Sequence, residues 1–301
     1  MGKLFEAITK TAPASDRKTG SPGPPPEGIG GGRGRSDAAP LRQTAAAGGA
    51  PGTGTKRSRD GLFAGRVAAL DDKLVAVNDS FSPAAESFRR LRTKLLHPAA
   101  GKAPRSILIT SVAPNEGKGF VAANLAATLA QGVEQHALVV DCDFRRPSLA
   151  GLFGLSNERG LADHLQDGTS LGSLIRKTEI PKLSVIPAGP PPSNPSELLD
   201  SEKMAAAVEE LIGRYPDRFV IIDSPPMDMA AETAVLARHV DGVVLVVRWG
   251  VAGREQVKKL AAAVGKDKIA GVVFNGVQVN EIESRLYRYK GSYEYAGYHP
   301  S

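Results

Sequence analysis

One loop in this chain has the residue types needed to hold phosphate. It is Ser111-Val-Ala-Pro-Asn-Glu-Gly-Lys-Gly119, between a short apolar run and a helix-like segment. A loop that leads into a helix points backbone N–H groups at an anion, and the helix N-terminus adds partial positive charge. Gly117 permits close approach, and Lys118 could reach the β- and γ-phosphates of a nucleotide. The spacing predicts a phosphate-binding loop, with an ordinary strand-to-helix turn as the alternative.

Three aspartates follow two other apolar runs. Asp141 and Asp143 flank one residue, so they lie on the same side of an extended segment, and Asp223 ends the run Val-Ile-Ile-Asp. Carboxylates beside phosphates suit Mg²⁺, which prefers hard oxygen ligands, and one of them could accept a proton from an attacking hydroxyl. A single aspartate here is commonly a cap or turn residue. Three beside a phosphate loop predict magnesium-dependent phosphate chemistry.

A tyrosine cluster supplies candidate phosphate acceptors. Five of the six tyrosines lie in the last fifteen residues, in a stretch with almost no aliphatic side chains. Such a stretch cannot form a core strand, so the phenol oxygens are the useful feature, with an interaction tail as the alternative. The predicted acceptors are Tyr287, Tyr289, Tyr293, Tyr295 and Tyr298.

Apolar runs and amphipathic stretches alternate from residue 106 onward. Runs without polar interruption separated by helices with a 3.6-residue period indicate a parallel sheet covered on both faces. We therefore predict an α/β, doubly wound, mostly parallel sheet with helices on both faces. Ligands of such sheets bind beyond the carboxyl ends of the strands. The predicted strands are 106–110, 137–141, 183–186, 219–223, 242–247 and 269–275.

The remaining segments differ in composition. Residues 1–10 form a short amphipathic segment, either a helical turn or a docking peptide, because Leu4, Phe5 and Ile8 have helical spacing. Residues 11–59 are rich in Gly and Pro and are predicted to be a disordered linker. The phosphate-loop domain is expected over 60–280, including a helix over 83–97, and a flexible tyrosine-rich tail over 281–301.

Charge and composition exclude several classes of protein. The net charge is +6, and residues 1–60 hold ten Lys or Arg against five Asp or Glu, so the folded part is nearly neutral. This argues against a folded nucleic-acid-binding face. The single Cys142 rules out an intrachain disulfide framework and fits a reducing cytosol. No run of about 18 apolar residues exists, so we expect membrane association only through a partner.

These motifs together resemble those of the bacterial tyrosine autokinases of exopolysaccharide and capsule synthesis, a P-loop family. Residues 115–118 resemble its Walker A loop, 141–147 its Walker A′ motif and 222–226 its Walker B motif. Residues 86–92 match its E-x-x-R-x-x-R segment, and the tyrosine cluster matches its autophosphorylated tail. The opening heptapeptide is also similar to kinases attached to exosortase-type loci.

The resemblance implies ATP and Mg²⁺ as cofactors and assigns roles. Lys118 would neutralise phosphate charge, Asp143 and Asp223 would hold Mg²⁺, and Asp141 would orient or deprotonate the tyrosine hydroxyl. Asn275 would contact the adenine, although it could equally be a turn residue, and the role of Arg248 stays open. The implied nucleotide-binding set is Pro114, Asn115, Glu116, Gly117, Lys118, Gly119, Phe120 and Asn275.

The family's assembly is also implied. Glu86, Arg89 and Arg92 would mediate ring-like self-association. The expected partners are a separate membrane-embedded polysaccharide chain-length regulator and a protein-tyrosine phosphatase, and no nucleic acid is expected. These partners would place the protein in the cytoplasm, peripheral to the inner membrane.

Gly119 departs from the family, which has Ser or Thr there as a direct Mg²⁺ ligand. A water, Ser111 or Thr110 would have to substitute. One alternative is therefore a nucleotide-binding regulator with impaired transfer. Another is a partition-type positioning ATPase, which usually has a second loop lysine where this chain has Ala113.

Overall fold

A computed structural model describes residues 69–227 and 232–277, together with the backbone of residues 6–9. The predicted linker over 11–59 and the tail with its five tyrosines lie outside the described residues. Among the described residues, no helix is both long and apolar enough to cross a membrane.

A mixed sheet forms the centre of the fold. Its order is β1-β8-β7-β2-β6-β3-β5-β4, and every pairing is parallel except that of β4 with β5. The strands are β1 Glu6–Thr9, β2 Ser106–Ser111, β3 His136–Asp141, β4 Arg176–Lys177, β5 Leu183–Ile186, β6 Arg218–Asp223, β7 Gly242–Arg248 and β8 Ile269–Asn275.

Helices connect the strands. They are α1 Val75–Asn78, α2 Pro83–Leu96, α3 Lys118–Ala130, α4 Leu149–Leu152, α5 Leu161–Asp167, α6 Leu171–Leu174, α7 Pro195–Leu199, α8 Glu202–Arg214, α9 Glu232–Leu236 and α10 Arg254–Val264. Short 3₁₀ turns cover Ala237–His239 and Lys266–Lys268.

The core has two parts, one on each face of the sheet. Leu108 belongs to one buried cluster, and its neighbours Ile107 and Ile109 belong to the other. Because successive side chains of a strand point to opposite faces, this alternation means that both faces are covered. The predicted doubly wound α/β fold and its six strands are confirmed.

Helix α2 begins and packs as its sequence predicts. Ser82 is its N-cap and accepts a hydrogen bond from the Ala85 amide, and Pro83 occupies the first turn, where a missing N–H costs nothing. Phe88, Leu91 and Leu95 form its apolar stripe and are buried. The helix is thereby fixed against the sheet next to α3.

Two strands were not predicted. Glu6–Thr9 is a strand paired in parallel with β8, not the helical turn that the apolar spacing suggested. The backbone of this short segment gains more from the open edge of β8 than an isolated turn could provide. Arg176–Lys177 has two exposed polar residues and pairs antiparallel with β5. Neither segment has the alternation of apolar and polar residues that would identify it as a strand from its sequence alone.

Candidate active site

Strand register groups the predicted carboxylates. In β6, Asp223 lies directly beside Asp141 of β3 on one side and Ile109 of β2 on the other. Adjacent strands are about 4.8 Å apart, so the two aspartates meet at the carboxyl edge of the sheet. Strand β2 leads there into the phosphate-binding loop. The predicted convergence of loop and carboxylates is present.

The loop turns through two left-handed residues. Asn115 has φ 63° and Gly117 has φ 95°, and α3 begins at Lys118. A Cβ at Gly117 would lie 2.0 Å from Nδ2 of Asn275. Glycine is therefore required at position 117 both for backbone conformation and for contact with the end of β8.

Buried polar contacts hold this loop from below. The fully buried Glu116 carboxylate accepts hydrogen bonds from the amide N of Ala113 (2.8 Å) and of Arg248 (3.2 Å). Nδ2 of Asn275 donates to the Glu116 carbonyl at 2.9 Å, and Nη1 of Arg248 donates to the Asn115 carbonyl at 3.1 Å. These contacts give Arg248 a structural role. The Glu116 side chain supports the loop from inside, and a nucleotide contact of Glu116 stays a prediction for its backbone.

Phe120, another residue of the predicted nucleotide-binding set, has a side-chain contact within the fold. Its ring packs edge-on against Phe88 of α2, with centroids 5.7 Å apart and planes at 62°. The aromatic side chain therefore joins α3 to α2, and only the backbone of residue 120 is left for an anion.

Lys118 and Asp143 form the buried, charged centre of the site. Nζ of Lys118 is 3.9 Å from Oδ2 of Asp143, and the side chains are 7% and 9% exposed. The amide of Arg146 donates to Oδ1 of Asp143 at 3.1 Å. A cation and a carboxylate are thus held side by side at the start of α3, as a site for a metal–phosphate complex requires.

Asp141 is saturated by backbone hydrogen bonds. It is fully buried, Oδ1 accepts from the Asp143 amide (3.1 Å), and Oδ2 accepts from the Ser148 and Leu149 amides (3.0 Å each). Burial raises its pKa to about 7 in spite of these bonds. The geometry makes Asp141 the anchor of the loop that carries Asp143. Its predicted contact with a tyrosine hydroxyl stays a prediction that this geometry does not support.

The surroundings of Asp223 differ from those of Asp141. It is 2% exposed, and within the described part of the chain its Oδ1 has no hydrogen-bond partner. Burial, then the neighbouring Asp141, raises its pKa well above the ordinary value, although Lys118 opposes the shift. A buried carboxylate oxygen without a partner is costly and fits a cation ligand. The donor set therefore suits Mg²⁺.

A complete protein cage for the metal is not needed. Over residues 69–227 and 232–277, no group of three or more His, Cys, Asp or Glu side chains is placed to hold a metal ion. Mg²⁺ usually takes one or two carboxylates together with phosphate oxygens and waters. Asp143 and Asp223 fit that pattern as predicted ligands.

The two hydroxyls expected to replace the missing Walker A hydroxyl are otherwise engaged. Oγ of Ser111 donates to the Ala113 carbonyl at 2.8 Å, and the buried Oγ1 of Thr110 donates to the Pro225 carbonyl at 3.3 Å. These bonds use the hydroxyl protons and leave the oxygen lone pairs, so the expected substitution by Ser111 or Thr110 stays a prediction. Sequence reasoning missed Ser148, which follows the Walker A′ motif directly.

The predicted oligomerisation residues have contacts within the chain. Nε of Arg89 is 2.8 Å from Glu86, and Nη1 donates to the Ser80 carbonyl at 2.7 Å. Nη1 of Arg92 donates to the Thr128 carbonyl of α3 at 2.9 Å. Arg92 therefore fixes α2 to α3, and a contact of these residues with another copy stays a prediction.

Comparisons with known proteins show the family to which this fold belongs. The model of the CobQ/CobB/MinD/ParA nucleotide binding domain matches residues 107–294. The tyrosine-protein kinase YwqD of Bacillus subtilis is 33% identical over 218 residues, covering 72% of this chain and 91% of YwqD. The chain belongs to the bacterial tyrosine-protein kinase family.

Members of this family differ in length. The tyrosine-protein kinase wzc of Salmonella typhimurium is 35% identical over 226 residues, which are 74% of this chain but 30% of wzc. The solved kinase domain of the Escherichia coli tyrosine kinase ETK has a TM-score of 0.62 at 34% identity, covering 68% of this chain and 80% of that domain. This tyrosine kinase thus spans nearly all of YwqD and less than a third of wzc.

Proposed function

We propose that this kinase transfers the γ-phosphoryl group of ATP to the C-terminal tyrosines of neighbouring copies and thereby regulates exopolysaccharide or capsule chain length and export. One observation carries the proposal. Lys118 lies beside Asp143 at the head of α3, next to the unpartnered Oδ1 of Asp223 in the described structure. This arrangement has the charges needed to hold a metal–triphosphate.

The chain's own groups supply positioning and charge. The transfer breaks the bond between the γ-phosphorus and its bridging oxygen, so that ADP leaves, and forms a bond to the phenol oxygen, whose proton is released to solvent. Loop amides and Lys118 offset phosphate charge, while Asp143 and Asp223 would hold Mg²⁺. The metal, when bound, neutralises charge on the β- and γ-phosphates. Asp141 contributes by fixing the loop on which Asp143 lies.

The acceptors begin close to the site along the chain. Strand β8 ends at Asn275, which is buried against Gly117 of the loop. Tyr287 follows twelve residues later. An extended chain of that length spans at most about 40 Å, enough to bring a tyrosine to a loop on the same or an adjoining copy. A tethered acceptor has a high effective concentration, so little peptide recognition is required.

Self-association would bring tails and sites together. Phe81, just before α2, is 97% exposed, and the carbonyl of the preceding Ser80 accepts a hydrogen bond from the predicted interface residue Arg89. Each phosphotyrosine adds about 1.5–2 negative charges, which should repel packed copies. We expect a chain with all five tail tyrosines changed to Glu to assemble less than wild type in sizing experiments. Equal assembly would contradict the expectation that phosphorylation drives the packed copies apart.

A mixing experiment tests transfer between copies. The donor is an active chain with its five tail tyrosines changed to Phe, and the acceptor is full-length Lys118→Met. With Mg–ATP, we expect phosphate on the acceptor, while Lys118→Met alone serves as the control and gains none. If only a chain with both Lys118 and its own tail gains phosphate, transfer is within one copy and the proposal is wrong.

Gly119 favours a second candidate, a nucleotide-binding regulator with impaired transfer. It would bind nucleotide through the loop amides and Lys118 and act through the same separate membrane-embedded regulator. No added phosphate on wild type, even with that partner's cytoplasmic segment present, would favour it over the kinase. The partition-type ATPase has less support, because the second loop lysine is absent at Ala113.

A further inference from the structure

Ser148 occupies an N-cap position without acting as an N-cap. It precedes α4, yet its side chain makes no capping hydrogen bond. Asp141 accepts from the amides of Ser148 and Leu149 and so holds the start of α4. An N-cap hydroxyl usually accepts from the second or third helical amide, and the Ser148 hydroxyl is not used in that way.

The Ser148 hydroxyl lies close to Gly119. A Cβ built on Gly119 would lie 2.1 Å from Oγ of Ser148 and 3.1 Å from Oδ2 of Asp223. Oγ of Ser148 thus occupies the space into which a side chain at position 119 would extend. A serine at position 119 and the observed Ser148 rotamer cannot coexist.

We propose that Ser148 supplies toward Mg²⁺ the hydroxyl oxygen that Gly119 lacks. A neutral hydroxyl is a hard oxygen donor of the kind Mg²⁺ accepts. It lies beside Asp223, whose other oxygen, Oδ1, has no partner within the described residues. Ser111 and Thr110 are both oriented by hydrogen bonds to backbone carbonyls, whereas the Ser148 hydroxyl caps no amide of α4 and lies where a side chain at position 119 would extend. The inference rests on the proposed function to the extent that the site binds a Mg²⁺–nucleotide.

Mg²⁺ affinity of the ADP-bound full chain is the direct test, with titration of MgCl₂ followed by calorimetry. Ser148→Ala should weaken Mg²⁺ binding by about tenfold, whereas Ser148→Thr, which keeps the hydroxyl, should stay close to wild type. ADP affinity in EDTA should be equal in all three, because the backbone amide of Ser148 still binds Asp141. Equal Mg²⁺ affinity in Ser148→Ala and wild type would overturn the inference.

A double-variant comparison sharpens the test. Serine at position 119 displaces the Ser148 hydroxyl, so Gly119→Ser combined with Ser148→Ala should recover wild-type Mg²⁺ affinity. Ser148→Ala therefore weakens Mg²⁺ binding in the wild type but not in the Gly119→Ser background. Weakening of the same size in both backgrounds, or produced by Ser111→Ala instead, would overturn the inference.

These outcomes separate the inference from the proposed function. Wild type that binds Mg²⁺–ADP without dependence on Ser148 overturns only the role of Ser148. Wild type that shows the Ser148 dependence and yet transfers no phosphate supports the role of Ser148 and contradicts the kinase proposal. Wild type that does not bind ADP overturns both.

Discussion

Two aspartates at opposite ends of the central strands have opposite surroundings. At the amino end of β2, Oδ2 of Asp241 accepts hydrogen bonds from the Arg105 amide and from the amide and hydroxyl of Ser106, each at 2.9 Å. At the carboxyl end, Asp223 is buried, and its Oδ1 has no partner within the described structure. The first carboxylate fastens strands together, and the second is left able to bind a ligand.

The pKa values of Asp241 and Asp223 are shifted in opposite directions. Burial raises the pKa of Asp241, but hydrogen bonds from Ser106 and Arg105 outweigh it and hold that pKa below its ordinary value. Burial raises the pKa of Asp223 well above its ordinary value. Asp141 shows that burial alone does not decide a role, because it lies beside Asp223 and is saturated by three amides.

The largest expected effect comes from removing the charge of Asp223. Asp223→Asn should reduce phosphoryl transfer by about a thousandfold, because a ligand of the metal–phosphate complex is lost. The nucleotide-free protein should not be destabilised, since the described contacts give Oδ1 no hydrogen bond to lose. Transfer is measured by intact mass after incubation with Mg–ATP, and stability by urea unfolding. Full transfer by Asp223→Asn would contradict the assignment of Asp223 as a ligand of the metal–phosphate complex.

Asp241→Asn should show the reverse pattern. It loses hydrogen bonds to a charged acceptor, so the free energy of unfolding at pH 7 should fall by about 1–2 kcal/mol after discounting for solvent screening. Transfer per folded molecule should match wild type, because Asp241 lies at the other end of the sheet. The same two assays apply, and a lost transfer rate without lost stability would refute the structural role.

The pH dependence of stability should differ in sign between these variants. The pKa of Asp241 is lowered, so its contribution is present above about pH 4 and disappears as pH falls through the lowered value. The pKa of Asp223 is raised, so its burial becomes more unfavourable as pH rises from about 4. Relative to wild type, Asp241→Asn should lose stability and Asp223→Asn gain it as pH increases. Parallel curves from urea unfolding across pH 3–8 would contradict this assignment.

A smaller effect is expected from removing a hydrogen bond that supports the phosphate-binding loop. Asn275→Ala removes the hydrogen bond to the Glu116 carbonyl and the contact with Gly117. One such bond is worth about 1 kcal/mol, so ADP affinity should fall about fivefold. Asn78→Ala, which removes a hydrogen bond to the Asp71 carbonyl, is the matched control and should leave ADP affinity unchanged. Equal effects of the two changes would show that Asn275 has no special relation to the loop.

The sequence predicts what depends on local patterns. Six strands, the loop and the three aspartates follow from apolar runs and short motifs. The role of Glu116 does not, because its partner Arg248 is 132 residues away in the chain. Nor does the role of Ser148, since its relation to Gly119 exists only after the carboxyl ends of β2 and β3 come together on either side of β6. Strand β1 escaped prediction because it pairs with the distant β8, and strand β4 because its two polar residues carry no strand pattern.

The central claim is that this chain phosphorylates its own tyrosine tail through Lys118. The most direct measurement is the intact mass of wild type and of Lys118→Met after incubation with Mg–ATP, with peptide mapping of residues 281–301. We predict phosphate increments on wild type, located among Tyr287, Tyr289, Tyr293, Tyr295 and Tyr298, and none on Lys118→Met. No increment on wild type even with the partner's cytoplasmic segment present, or equal increments on both proteins, would contradict the claim.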